Sequence, residues 1–150
     1  MSRRNFPPLP VSSDRFISMR VINSVMSDNI YAKQSLWSDK ESVWHEVMPG
    51  VRRRIATYSL TGMMVYYRIA PNSVFPMHTH PHAQYGIFLE GGGTFKVGES
   101  VWRVKKGDAY FIPPNVPHEL RTSSEECLII DFFTPMREDM LKEASPPDHA

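Results

Sequence analysis

A chain of 150 residues suits one domain with one core, and 41% hydrophobic with 22% charged residues is ordinary for a globular protein. Seventeen basic against 16 acidic side chains leave a formal charge of +1, so the charge balance favours neither nucleic acid nor an anionic membrane as a partner. The single cysteine, Cys127, excludes an intrachain disulfide; its apolar neighbours suggest burial rather than nucleophilic use, and it fits a reducing compartment.

No stretch approaches the roughly 18 consecutive apolar residues of a membrane helix. Phe6-Pro-Pro-Leu-Pro10 is no signal-peptide core, so a cytoplasmic protein is expected. Residues 1–33 mix proline, serine and charge and read as a partly disordered N-terminal arm, with Arg20-Val21-Ile22 as a candidate short strand. The segment 34–49 contains Trp37, Trp44 and Val47 and should pack on the domain surface, as a short helix or as loop.

After Pro49-Gly50 the pattern becomes a succession of short strands, predicted at 51–57, 63–69, 74–80, 85–89, 94–97, 101–104, 109–112, 118–121 and 126–133. Turn residues separate them: Thr61-Gly62, Pro71-Asn72, Glu90-Gly91-Gly92-Gly93, Gly98-Glu99, Lys106-Gly107-Asp108 and Ser123-Ser124. Gly98-Glu99 or Glu99-Ser100 suits a tight hairpin, because glycine enters positive φ cheaply, and Asp108 should bond its own backbone. Short strands at this spacing without a βαβ rhythm predict an all-β sandwich or barrel. One barrel with its leading segment is expected over 34–134. Thr134 should then cap a short helix from Pro135 to about Ala144, followed by a loose tail, so that 135–150 forms a C-terminal appendage.

The chemistry concentrates in the strand patterns. Four of the six histidines fall within 41 residues, and two of them stand in His78-x-His80 spacing, which in a strand places both rings on one side. His118 follows Pro113-Pro-Asn-Val-Pro117, a rigid turn that would fix where its ring points. His78, His80 and His118 are therefore expected to share a divalent metal ion. Gln84 returns to the same side after the chain turns at Pro81; its amide is a weaker, neutral donor, and a glutamine bonded to backbone is the alternative. His82 is read as a neighbour of the site or a surface residue. Neutral ligands leave the metal's charge uncompensated, favouring an anionic substrate or a bound water of lowered pKa. Zinc, nickel, iron, manganese and cobalt all accept such donors.

In Glu126-Cys-Leu-Ile-Ile-Asp131-Phe-Phe133 both alternating faces are apolar, so the strand should be covered on both sides and Asp131 buried. A buried carboxylate calls for a partner, either an arginine in a structural pair or a role as general acid or base beside the metal. Arg137 could pair with it or clamp a substrate carboxylate. Tyr67, Tyr85, Phe88, Phe95, Trp102, Tyr110 and Phe111 alternate along strands, where core packing is the expected role for most and a pocket wall for one or two. The Arg52-Arg53-Arg54 run has a solvated strand face as its simplest reading.

These residues resemble the two motifs of the cupin superfamily: His78-x-His80-x3-Gln84-x6-Gly91, and Gly107-x5-Pro113-x-Asn115-x2-His118. Gln84 stands where that family usually has glutamate, Asn115 where it has a turn glycine, and Thr122 where it has asparagine. A narrower resemblance, over about 44–140, is carried by Pro49-Gly-Val-Arg-Arg-Arg-Ile55, His78-x-His-Pro-His-Ala-Gln84, Ile112-Pro-Pro-Asn-Val-Pro-His118 and Asp131-x-Phe133-x-Pro135-x-Arg137-Glu-Asp139. It is to the KdgF family of small cupins in pectin and alginate breakdown. The resemblance implies a double-stranded β-helix, or jelly-roll, barrel with short flanking helices or arms, commonly a homodimer. It implies a metal-dependent enzyme that linearises 4,5-unsaturated monouronates to 5-keto-4-deoxyuronates. His78, His80, Gln84 and His118 would be metal ligands, Asp131 and Arg137 the catalytic pair, and Phe133 a residue of the pocket; Arg54 and Tyr85 are further candidate substrate contacts. The alternatives are another metal cupin reaction (dioxygenation, β-elimination or polyketide cyclisation) or a binding protein for a sugar or small acid.

Overall fold

A computed structural model describes residues 36–37 and 43–144. The expected N-terminal arm with the candidate strand at Arg20-Val21-Ile22, and the tail beyond Ala144, lie outside the described residues. The strands are β1 (His45–Met48), β2 (Val51–Ser59), β3 (Gly62–Ile69), β4 (Val74–His78), β5 (Ala83–Glu90), β6 (Gly92–Val97), β7 (Ser100–Lys105), β8 (Ala109–Ile112), β9 (His118–Thr122) and β10 (Cys127–Thr134). They pair into two sheets, ordered β1-β2-β3-β10-β5-β8 and β4-β9-β6-β7. Every pairing between these strands is antiparallel, which gives the all-β, double-sheet architecture expected from the spacing of the turns, and the jelly roll that the resemblance implies.

Alternation decides which side chains lie between the sheets. In β3, Met63, Val65, Tyr67 and Ile69 are buried while the intervening positions are partly exposed, and β10 buries Cys127, Ile129, Asp131 and Phe133 in the same way. Phe95, Val97 and Leu120 meet them from the smaller sheet. Cys127 is wholly buried and its thiol is pushed up to about 12 by burial, so it is no nucleophile at neutral pH. The hairpin at Gly98 closes β6 onto β7 with φ +56° at the glycine. Asp108 accepts the Lys105 N–H at 2.8 Å, so its side chain closes the turn behind it rather than forming the Asx turn expected with the backbone ahead. Asn115, at the motif's glycine position, takes φ +63°, which asparagine tolerates better than most residues.

Several expectations need correction. The segment before Pro49 supplies a strand, β1, rather than a helix or loop: His45 and Glu46 pair with Arg53 and Arg52 and extend the larger sheet. Thr134 ends β10 instead of capping a helix; its bond to Pro135 is cis, and a shorter 3₁₀ helix (Glu138–Glu143) follows Arg137 with no side-chain cap. The intervening residues bring Met136 into the core, and the helix adds Met140. The outer face of β10 is not covered as two apolar faces suggested. Phe132 is 40% exposed, abreast of Tyr85 at 49% and Phe111 at 50% on the neighbouring strands.

Candidate metal centre

In the smaller sheet β4 ends beside the start of β9, and the ladder there puts His78 directly opposite His118. His80 lies beyond the end of β4, so it joins them through the turn that follows rather than by strand alternation. The three side chains offer ligand atoms within 4.8 Å of one another. Each ring places Nδ1 against a backbone carbonyl: His78 on Pro76 at 2.8 Å, His80 on His82 at 3.1 Å, His118 on Val116 at 2.9 Å. Donation from Nδ1 fixes the tautomer and leaves each Nε2 as a lone pair directed inward. Burial lowers all three pKa values, to about 4 for His80 and His118, so the rings are neutral at physiological pH.

Two observations show that a cation fits. His118 Nε2 is buried without a hydrogen-bond partner. His80 faces oxygen acceptors at both nitrogens, the His82 carbonyl and Gln84 Oε1 at 2.9 Å, and a neutral ring can donate to only one of them. A cation shared by His80 Nε2 and Gln84 Oε1 removes that conflict. The cluster is thus capable of holding a divalent ion on three imidazoles, with an amide oxygen beside them.

Behind this cluster lies Asp131, 3% exposed on β10. Tyr110 donates to its Oδ1 at 2.5 Å and Gln84 Nε2 to its Oδ2 at 2.9 Å. The structural pair with Arg137 considered from the sequence is not formed, because the Arg137 fork closes on Asp139 at 2.9 and 2.8 Å. Burial pushes the Asp131 carboxyl up to about 7, against the opposing pull of the Tyr110 and Gln84 hydrogen bonds and the charge of Arg137. Burial and the adjacent carboxylate raise the Tyr110 phenol well above its ordinary value, so it remains a donor.

A cavity of about 210 Å³ opens between the sheets at this point. His78, Gln84, His118, Asp131, Phe133 and Arg137 line it, and Arg137 also stacks on Phe133, 5.2 Å from the ring centroid. Two residues expected to contact substrate are placed elsewhere. Arg54 stacks on Trp44 and Tyr66, and Tyr85 packs on Phe111 on the outer sheet face. Arg53 lines the cavity instead, with its Nε and Nη2 held by Glu143, both at 2.7 Å. Of the strand aromatics expected mostly to pack, with one or two as a pocket wall, Tyr67, Phe95 and Tyr110 line the cavity. His82 lines a separate surface pocket with Arg137, Glu138 and Asp139.

The cupin domain family model matches residues 65–133. The pectin degradation protein KdgF of Dickeya dadantii is 33% identical over 104 residues, which is 69% of this chain and 94% of that protein. The structure of KdgF from a Halomonas species superposes with a TM-score of 0.68 at 28% identity, covering 72% of this chain and 99% of that one. An RmlC-like cupin from Shewanella frigidimarina, at 23% identity and a TM-score of 0.67 over 72% of this chain and 96% of its own, shares the fold. With the motif histidines facing one another between two jelly-roll sheets, the chain belongs to the cupin superfamily, among the single-domain members close to KdgF.

Proposed function

We propose that this chain is a metal-dependent isomerase that linearises 4,5-unsaturated monouronates to 5-keto-4-deoxyuronates. The observation that carries the reading is Asp131: a buried carboxyl, pushed up to about 7 by that burial, lines the same cavity as His78 and His118. Kinship with a pectin degradation protein supplies the substrate class.

The reaction is a proton shift coupled to ring opening. In the substrate the ring oxygen sits on carbon 5 as an enol ether. Loss of the anomeric hydroxyl proton forms the carbon 1 aldehyde, breaks the bond from carbon 1 to the ring oxygen, and leaves an enolate at carbon 5; protonation at carbon 4 then gives the ketone. Asp131 takes the proton from the anomeric hydroxyl and returns it to carbon 4, which a carboxyl poised near neutrality can do in both directions. Each Asp131 oxygen keeps a lone pair beyond the one used by Tyr110 or Gln84. Arg137 is held by Asp139 and Phe133 at the cavity edge, where its positive charge attracts the uronate carboxylate. A divalent ion on His78, His80, Gln84 and His118 would supply Lewis-acid stabilisation for the developing oxyanion. At about 210 Å³ the cavity is smaller than the ~300–1,000 Å³ of drug-sized sites, so the guest is of monosaccharide size.

The decisive experiment incubates the metal-loaded protein with 4,5-unsaturated monouronates in D2O, with and without oxygen, and reads the product by NMR. Equal turnover in both atmospheres with one deuterium, stereospecifically at carbon 4, is expected. A requirement for oxygen would assign the site to dioxygenation instead, and tight binding without turnover would make the chain a binding protein.

A further inference from the structure

We infer that Tyr110 is a positioning residue for the metal centre: acting through Asp131, it sets which end of the Gln84 amide faces the imidazoles, and Gly86 is the gap that lets it reach. The inference rests on the cluster being a metal site and is independent of which reaction the site performs.

The register brings three residues abreast on neighbouring strands, with Asp131 on β10 opposite Gly86 on β5, and Gly86 opposite Tyr110 on β8. Adjacent strands lie about 4.8 Å apart, so the two outer residues stand roughly 10 Å apart at the backbone. Their side chains nevertheless meet, Tyr110 Oη donating to Asp131 Oδ1 at 2.5 Å, because the position between them has no side chain. A Cβ on Gly86 would fall into both the Tyr110 ring and the Asp131 carboxylate. Gly86 has no positive φ that would otherwise call for glycine, so the close approach is the reason for it.

Each bond in this row fixes the polarity of the next. Tyr110 donates to one carboxylate oxygen and so holds the orientation of Asp131. The other oxygen accepts Gln84 Nε2 at 2.9 Å, which commits the nitrogen end of the amide. Gln84 Oε1 is thereby turned to His80 Nε2, 2.9 Å away, as a donor for a cation. With the amide reversed, an oxygen would face the Asp131 carboxylate and an NH2 group would face the metal site, which is repulsive at both ends. The ring of Tyr110 also packs on Phe88 and Phe95, a contact that needs no hydroxyl.

Tyr110→Phe separates the two roles, because it keeps the ring and removes only the donor. Zn²⁺ affinity is measured by chelator competition, and the Co²⁺-loaded visible spectrum is recorded as a readout that packing alone would not move. Removing such an outer partner of a ligand commonly weakens metal binding by ~10–100-fold. A loss near ten-fold is expected in Tyr110→Phe, with a shifted Co²⁺ spectrum; the apoprotein should melt somewhat lower, because one buried Asp131 oxygen loses its donor, but that loss alone would leave the Co²⁺ spectrum in place. In an Asp131→Ala background the same change should have no further effect on Zn²⁺ affinity, since the link it acts through is gone. Gly86→Ala should reproduce the metal phenotype by displacing the ring; if that variant does not fold, Tyr110→Phe decides alone. Wild-type affinity and spectrum in Tyr110→Phe would overturn the inference. Failure of the wild-type chain to bind Zn²⁺ or Co²⁺ would instead overturn the metal site itself.

Discussion

Asp131 has two relations that substitution can separate: one to the space where substrate would sit, the other to Gln84. Asparagine retains an oxygen that can accept the Gln84 NH2, but it cannot carry a proton between two substrate atoms. Asp131→Asn should therefore keep its metal content, measured by elemental analysis after gel filtration, while kcat falls by ~10²–10⁴-fold, the usual worth of a positioned acid–base. Asp131→Ala should lose affinity for metal as well, because nothing then holds the amide nitrogen. An unchanged kcat in Asp131→Asn removes the residue from proton transfer. The importance of Asp131 was legible in the sequence, as a carboxylate at an inward position of an apolar strand, whereas its partners were not. Arginine was the obvious candidate, yet the bonds come from Tyr110 and Gln84, residues 21 and 47 positions away that only the pairing of β10, β5 and β8 brings near. The arginine run divides by parity: Val51 and Ile55 are buried, so alternation places Arg53 with them and turns Arg52 and Arg54 to the other face.

At the level of elements, the 3₁₀ helix is held to the barrel by the Arg53–Glu143 fork, with side chains only 16% and 12% exposed. A charge-assisted, bidentate pair so placed should contribute about 1–3 kcal/mol. Arg53 donates to Glu143 and so holds its carboxyl below the ordinary 4.5. The pair's stabilisation is therefore complete above pH 4.5, falls away as pH drops through the lowered folded value, and is absent below it. The difference in melting temperature between wild type and Glu143→Gln should be largest near neutrality and should close as pH falls towards 3; the sign is checked by calorimetry across that range. A gap that stays constant with pH would mean that the glutamate's packing, not its charge, matters. The sequence placed this helix too early because Thr134-Pro135 looks like a cap followed by a first-turn proline. Those residues instead finish β10 and feed Met136 into the core, a tertiary demand that local capping signals do not contain. β1 was missed likewise: its four residues have no alternation of their own and are strand because β2 offers them an edge.

For the whole molecule, the centre ties one sheet to the other: His78 and His118 belong to β4 and β9, while Gln84 and Asp131 belong to β5 and β10. An ion held by both sheets binds only the folded chain, since the unfolded chain does not hold these donors together. At a free metal concentration 100 times the dissociation constant, the linkage is worth about 2.7 kcal/mol, which for a domain of this size is a rise in melting temperature of roughly 10 °C. Chelation should reverse that rise, and replacement of Zn²⁺ should restore it. His118→Ala should abolish the response to metal, because the ladder partner of His78 no longer offers a ligand. The same substitution removes a buried nitrogen that has no hydrogen-bond partner, so it should cost the apoprotein less than the loss of a buried, fully bonded histidine. A melting curve for wild type that ignores both chelator and Zn²⁺ would show that the lone pairs gathered between the sheets hold no ion. In that case the neutral, inward-facing imidazoles would have to be explained by packing alone.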